Sequence, residues 1–425
     1  MKHPLRRRPP AQVTPGHAWA DEPLGQSLSC ARRENTDRPA AWRRQMSRID
    51  ILYRWLARVT DPAVEEILAA GLTHAEPEYA ARIAELLLDR RHDAAPGALV
   101  AHYDRLPEEL RQRIRRRTEL VRAGIAIAIH YPDSRARQNA LLLLREVPCP
   151  PLAYLAADAL RDSSGLVREA AAQALRALAE YALTAEPAER AEVAAALLTA
   201  LRTFDAHGRQ ELVEPCLWFA REHGEALWQI LGDPRARARQ VIIDRLREWN
   251  SPRLAGFLLL ALSQTAWRET ARQLLEDWAE VAHIVALLSH TDLLAQPEVR
   301  RGLRLLRRPA WAASADRMLE ALSPRQRAQL PHWICRLGFD AFERLRYLER
   351  CLDAPWPEVQ RAACQALAAL NDEEAVRVLV RVAARRTGGS VFARWYVAGR
   401  RLLQKGDKRH AVRTSSPMPT VWTPW

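Results

Sequence analysis

The sequence predicts an all-α fold, a solenoid of roughly ten to twelve stacked helix pairs. Three observations carry this. Apolar residues recur at offsets 0, 4, 7 and 8 in segment after segment; the segments open at near-constant spacing; and the 425-residue chain is 48% hydrophobic yet has 16 glycines. Offsets of 0, 4, 7 and 8 lie on one face of a helix with 3.6 residues per turn.

The clearest copies of the stripe are Val167, Ala171, Ala174, Leu175 and Val359, Ala363, Ala366, Leu367. Ala136, Ala140, Leu143, Leu144 and Trp267, Ala271, Leu274, Leu275 follow the same offsets. Ala238, Ile242, Leu246 has Arg245 at offset 7, and Val299, Leu303, Leu306 has Arg307 at offset 8. Each stripe follows a polar opening, commonly an Asp with Pro or Gly close behind. The openings are Glu76, Asp104, Asp133, Asp162, Asp205, Asp233, Gln264, Gln296, Pro324 and Asp353, with gaps of 28, 29, 29, 43, 28, 31, 32, 28 and 29. The long gap implies an insertion near 181–190, where Thr184-Ala185-Glu186-Pro187 reads as a loop and then a helix start. A unit of about 30 residues holds two short helices, and neither can bury its stripe without the neighbouring unit.

The ends differ from the body. Residues 1–47 are rich in Pro and Arg, show no period, and read as a disordered basic segment. The helical pattern sets in abruptly behind Met46, which makes that residue a candidate translation start. Residues 48–404 form the array, and 405–425, with Ser415, Ser416, Pro417, Pro419 and Pro424, read as a tail. The net charge of +13 sits mainly in these ends: 1–48 carry +6, 401–425 carry +4, and the body between is close to balanced. A basic pI therefore says little about the body's partner. The six cysteines include no C-x-x-C pair, which fits a reducing, cytoplasmic setting. No secretory signal pattern is present, and the longest apolar runs, such as 257–262, are too short to cross a bilayer, so no membrane partner is expected.

Asp162-Ser-Ser-Gly-Leu-Val-Arg-Glu-Ala-Ala-Ala-Gln-Ala-Leu175 resembles the second helix of a HEAT repeat, in the short form common in bacterial HEAT-repeat proteins. The stretch 353–367 is similar, with Gln360 where the other has Arg168, and the resemblance extends over about 49–404. It implies an armadillo-like α-solenoid that serves as a protein-interaction scaffold, and it names no partner. It also implies a structural role for the Arg that follows offset 0: Arg137, Arg168, Arg239, Arg268 and Arg300. In the family such residues form an Asp–Arg ladder, and a guanidinium fork suits a loop carboxylate and helix-end carbonyls.

The candidate partner-binding residues lie elsewhere on the helix. Offset 9 is Arg in four copies, Arg145, Arg176, Arg247 and Arg308. Offset 2, on the same face, adds Arg301 and Arg361, with Arg272 and Arg304 nearby at offset 5. In solenoids of this type the second helices line the concave surface, so these arginines are expected to meet an acidic protein segment there. The competing reading is a solvated Arg face offset by Glu and Asp. Nucleic acid is the alternative ligand, since phosphates suit the same forks. Two further basic runs, Arg111–Arg117 and Arg300–Arg308, lack the interleaved aromatics of single-strand binders, and the first could face acidic neighbours.

No catalytic site is expected. None of the 12 histidines precedes a Glu, which removes the metal-ligand pairs of HEAT-like iron hydroxylases, and nothing specific to the phycobilin lyases is visible. His74, His283 and His290 have no metal spacing, and there is no phosphate loop and no G-x-S-x-G. No cofactor or metal is predicted. The 14 tryptophans keep one enzymatic alternative open, a HEAT-like DNA glycosylase using Trp and Asp in a cleft. Trp267 and Trp278 would share one helix face, and core packing is their expected role.

Overall fold

The structure, a computed structural model, describes residues 51–385 apart from 60, 90–93 and 371. The expectations for 1–47, for the end of the array at 386–404 and for the tail 405–425 fall outside the described residues. The chain divides into two compact units, 1–64 and 65–425. In the first, residues 51–58 are helical. The second is an all-α solenoid, with no strand among the described residues.

Its unit is a pair of helices. Thr118–Ala128 packs on Ser134–Glu146, Ala153–Ala159 on Gly165–Ala182, Ala255–Ala261 on Arg268–Asp277, and Ala341–Asp353 on Pro357–Leu370. Second helices then stack on second helices, as Ser134–Glu146 does on Gly165–Ala182 and Pro324–Ile334 on Pro357–Leu370. First helices stack likewise, Ala94–Ala101 on Thr118–Ala128 and Ala153–Ala159 on Pro187–Arg202. The 0, 4, 7, 8 stripes are the seam. Val167, Ala171, Ala174 and Leu175 are each 0% exposed, and the stripes of the other copies are buried too. Alanine at offsets 4 and 7 keeps the backbones close, and Gly302 takes this further: a Cβ there would stand 2.5 Å from that of Leu262.

Local chemistry fixes where the helices start. The Asp133 carboxylate accepts the Arg135 N–H at 3.1 Å, and Asp340 accepts that of Glu343 at 2.7 Å. Ser323 and Gln326 form a reciprocal capping box in front of Pro324–Ile334. Pro187 and Pro297 occupy first-turn positions, where their missing N–H costs nothing.

Two openings behave differently from the sequence expectation. Asp205 opens no stripe. It lies inside the short helix Phe204–His207, which Gly208 ends at φ 63°. The chain continues in short pieces, Val213–Trp218, Ala220–His223 and Glu225–Gly232, with a second left-handed break at Gly224. The stack nevertheless passes through this region, because Val213–Trp218 packs on both Gly165–Ala182 and Arg237–Trp249. The second departure is Pro297–Leu303, which stops before offsets 7 to 9. Beyond it the Leu306 carbonyl accepts the Gly338 N–H at 2.9 Å, and a Cβ on Gly338 would overlap the Arg304 carbonyl. That tertiary bond takes up backbone that would otherwise extend the helix.

Candidate partner-binding face

The arginines that follow offset 0 reach back over their own helix starts. Arg137 donates to the carbonyls of Tyr131 and Pro132, both at 2.8 Å, and to both oxygens of Asp162 at 2.7 and 3.0 Å. Arg168 donates to the carbonyls of Asp162 at 2.7 Å and Ser163 at 3.0 Å. Arg268 does the same with Leu262 at 3.1 Å and Ser263 at 3.4 Å. These are the carbonyls six and five residues earlier, left without helical donors at the turn. Gln360 makes the equivalent bond to the Ala354 carbonyl at 2.6 Å.

The ladder is not uniform. Arg137 meets a carboxylate because the next unit opens with Asp162. Where the next opening is Gln264, Arg239 bonds the Gly232 carbonyl at 3.3 Å and lies 5.7 Å from the Trp267 ring centre. Arg300 is exposed, and the carbonyl six residues before it, Leu294, is taken at 2.9 Å by Arg336 from a later unit. Sequence spacing also passed over Arg190, Arg327 and Arg344, which cap preceding carbonyls in the same way.

The other arginine face is built from a contact that crosses units. Arg145 donates to the side-chain carbonyl of Gln173 at 2.7 Å, and Arg247 to that of Gln273 at 3.0 Å. Gln173 and Gln273 both stand at offset 6, one turn before offset 9. Each glutamine amide points on to a Glu at offset 2, Glu169 at 3.4 Å and Glu269 at 3.1 Å. The same Arg–Gln–Glu relay is thus present twice, a hundred residues apart. All four guanidiniums at offset 9 are exposed.

They do not form one unbroken column. Arg145 and Arg176 line a common open cavity of about 390 Å³ with Gln173, Ala177 and Glu180. The broken segment 204–232 separates them in sequence from Arg247. In the next unit offset 9 is Glu276, which pairs with Arg272 and accepts the Arg307 N–H at 2.7 Å. Arg308 lies past the end of its helix, with its N–H 3.4 Å from Glu276. At offset 2, Arg301 pairs with Glu298 at 2.9 Å and Arg361 is exposed.

The basic run 111–117 is largely neutralised. Arg111 pairs with Glu108 at 3.0 Å, Arg113 with Asp89 at 3.2 Å, and Arg115 with both Glu108 and Glu146. Tyr103 donates to Glu146 at 2.6 Å, and burial with that bond holds its hydroxyl well above the ordinary phenol range.

The groups that suggest catalysis sit in packing roles. Trp267 and Trp278 flank the helix Arg268–Asp277 and are each 3% exposed. Trp278 stacks on His283 at 4.4 Å, Trp311 on Trp333 at 5.0 Å, and Trp228 on Phe257 at 5.6 Å. Cys216 lies 3.4 Å from the His223 Nε2, an arrangement that resembles a nucleophile and its base. Burial pushes the thiol up and the imidazole down to about 4, so both are neutral, and His223 bonds the Cys216 carbonyl at 2.9 Å. Among the described residues, no group of three or more His, Cys, Asp or Glu is placed to hold a metal ion, and no helix is long and apolar enough to cross a membrane.

No protein-family model matches the chain, and no curated relative does. Among solved structures it is similar to Kap121p, with 16% identity over 82% of this chain and 45% of that one and a TM-score of 0.28. It is also similar to Kap121p bound to Ste12p, with 15% identity over 81% and 44% of the two chains and a TM-score of 0.27. The chain spans less than half the length of these proteins. TM-scores of this size carry no partner or activity over to it.

Proposed function

We propose that this chain is a non-catalytic interaction scaffold, and that its exposed offset-9 arginines bind an acidic, extended protein segment. The observation that carries the reading is the repeated relay, Arg145–Gln173–Glu169 and Arg247–Gln273–Glu269. A side-chain amide holds each guanidinium at a fixed place on the stack and uses one of its five donors. Most of the fork stays available for carboxylates, which it meets in bidentate fashion. Arg361 adds an exposed charge at offset 2.

Protein is favoured over nucleic acid by the balance of charge. The body between the basic ends is near neutral, and acidic residues answer most of the 111–117 run. A duplex would meet those carboxylates along with the arginines. The glycosylase alternative needs Trp and Asp open to a base; Trp267, Trp278, Trp311 and Trp333 are buried, Trp218, Trp228, Trp249 and Trp356 are half-buried, and Trp55 is exposed. A base-release assay on alkylated duplex is expected to show no turnover. The cytoplasm, with its reduced thiols, is the setting proposed for such a scaffold, and the cysteines described are free.

The test is capture from nuclease-treated native lysate by the parent and by a variant with Arg145, Arg176, Arg247 and Arg308 all changed to Glu. The parent is expected to retain acidic proteins that the variant loses at unchanged helicity. Equal capture by both would make the arginines ordinary solvated surface.

A further inference from the structure

We infer that Arg145 and Arg176 are the anchor of this face, receiving one side-chain carboxylate of an extended acidic peptide; the inference rests on the scaffold reading above. These two guanidiniums line one open cavity of about 390 Å³ together with Gln173, Ala177 and Glu180. Arg145 is committed only to Gln173, and among the described residues Arg176 makes no hydrogen bond or ion pair. Two forks facing one small space repel each other, and an anion between them relieves that repulsion.

The walls set which anion fits. Glu180 is ion-paired with Arg253 at 3.8 Å, a separation too long for a hydrogen bond, so its oxygens can still accept from a donor. The residues that line the cavity, Arg145, Arg176 and Glu180, sum to one positive charge, with Arg253 behind Glu180. That suits a carboxylate monoanion and disfavours a phosphate dianion, which the Glu180 carboxylate would repel. The same Glu180 can accept a backbone N–H of the bound peptide, which favours an extended chain whose amides are free.

The second relay shows what removes the site. At Arg247–Gln273 the counterpart of Arg176 is Glu276, which pairs with Arg272 on its own helix. That copy supplies a carboxylate of its own at the equivalent offset. Among the described residues, the Arg145 relay thus has a second guanidinium beside it, whereas the Arg247 relay has a carboxylate at the equivalent offset.

The experiment titrates fluorescein-labelled hexaglutamate into the full chain and into R145Q, R176Q, R176E and R247Q. Helicity is followed throughout, and all three arginines are exposed. The parent is expected to bind; R145Q and R176Q should each weaken binding about tenfold, the scale of a charge-assisted hydrogen bond. R176E, which copies the charge of Glu276, should abolish it, and R247Q should change it less than about threefold. Losses at R247Q with none at R145Q or R176Q would leave the scaffold reading standing and overturn the anchor. Equal losses at all three would also overturn it. No binding by the parent would sink both readings. An O-phosphoserine peptide of equal length binding more tightly than hexaglutamate would overturn the carboxylate assignment.

Discussion

Arg137 donates to both oxygens of Asp162, at 2.7 and 3.0 Å, and so ties Ser134–Glu146 to the turn that opens the following helix. The pair is mostly buried, with side chains 17% and 12% exposed. Arg137→Ala leaves the carboxylate without its main partner and is expected to cost about 2–3 kcal/mol in urea unfolding.

The pair also sets an acid dependence. Arg137, helped by the Ser164 N–H, holds the Asp162 carboxyl below the usual carboxylate range. A depressed folded-state value stabilises above the unfolded value near about 4 and loses that contribution as pH falls through the folded one. The stability gap between the parent and Asp162→Asn should therefore be widest near neutrality and shrink below about pH 4. A gap that stays constant down to low pH would show that the charge of Asp162 is not what matters.

Equivalent sequence positions should not be equivalent in energy. Arg168 and Arg300 share an offset, but only Arg168 caps carbonyls, while Arg336 occupies the place open to Arg300. Arg168→Ala is expected to cost about 1 kcal/mol. Arg300→Ala should stay within about 0.5 kcal/mol of the parent. Comparable losses at both would mean that the capping contacts contribute little.

His223 predicts a second pH effect of its own. Burial lowers its folded-state value to about 4, against an ordinary 6.5. Below 6.5 the unfolded chain takes up a proton that the folded chain refuses, so stability falls as pH drops from about 6.5 to about 4. The loss from this group can reach about 3 kcal/mol. Comparing the parent with His223→Gln over that interval should isolate it; parallel pH profiles would contradict it. Cys216, buried beside it, is expected to resist iodoacetamide until the chain unfolds.

The stripes were legible because a helix converts spacing directly into a face: Val167, Ala171, Ala174 and Leu175 needed no partner to be identified. Asp205 misled because Gly208 and Gly224 turn the chain locally, and an Asp alone does not distinguish a helix opening from a residue within one. The apolar spacing places Arg308 on a helix that in the structure ends at Leu303, since the bond from Gly338 to Leu306 spans 32 residues of sequence. The relay from Arg145 to Gln173 was hidden for the same reason: it crosses units, and offset 6 carries Leu142 and Asp244 in other copies. Gln173 and Gln273 nonetheless stand at equal offsets, and that matched polar pair is the relay's trace in the sequence.

The most direct test of the scaffold reading is a salt titration. Labelled hexaglutamate and a labelled 20-base-pair duplex would be bound to the full chain between about 50 and 200 mM salt, the range over which phosphate contacts weaken steeply. Saturable peptide binding is expected, lost in the Arg145, Arg176, Arg247, Arg308→Glu variant, while any duplex binding, which the basic ends can supply, is unchanged in that variant. Tight duplex binding with a steep log–log slope, and no affinity for the peptide, would contradict the scaffold reading.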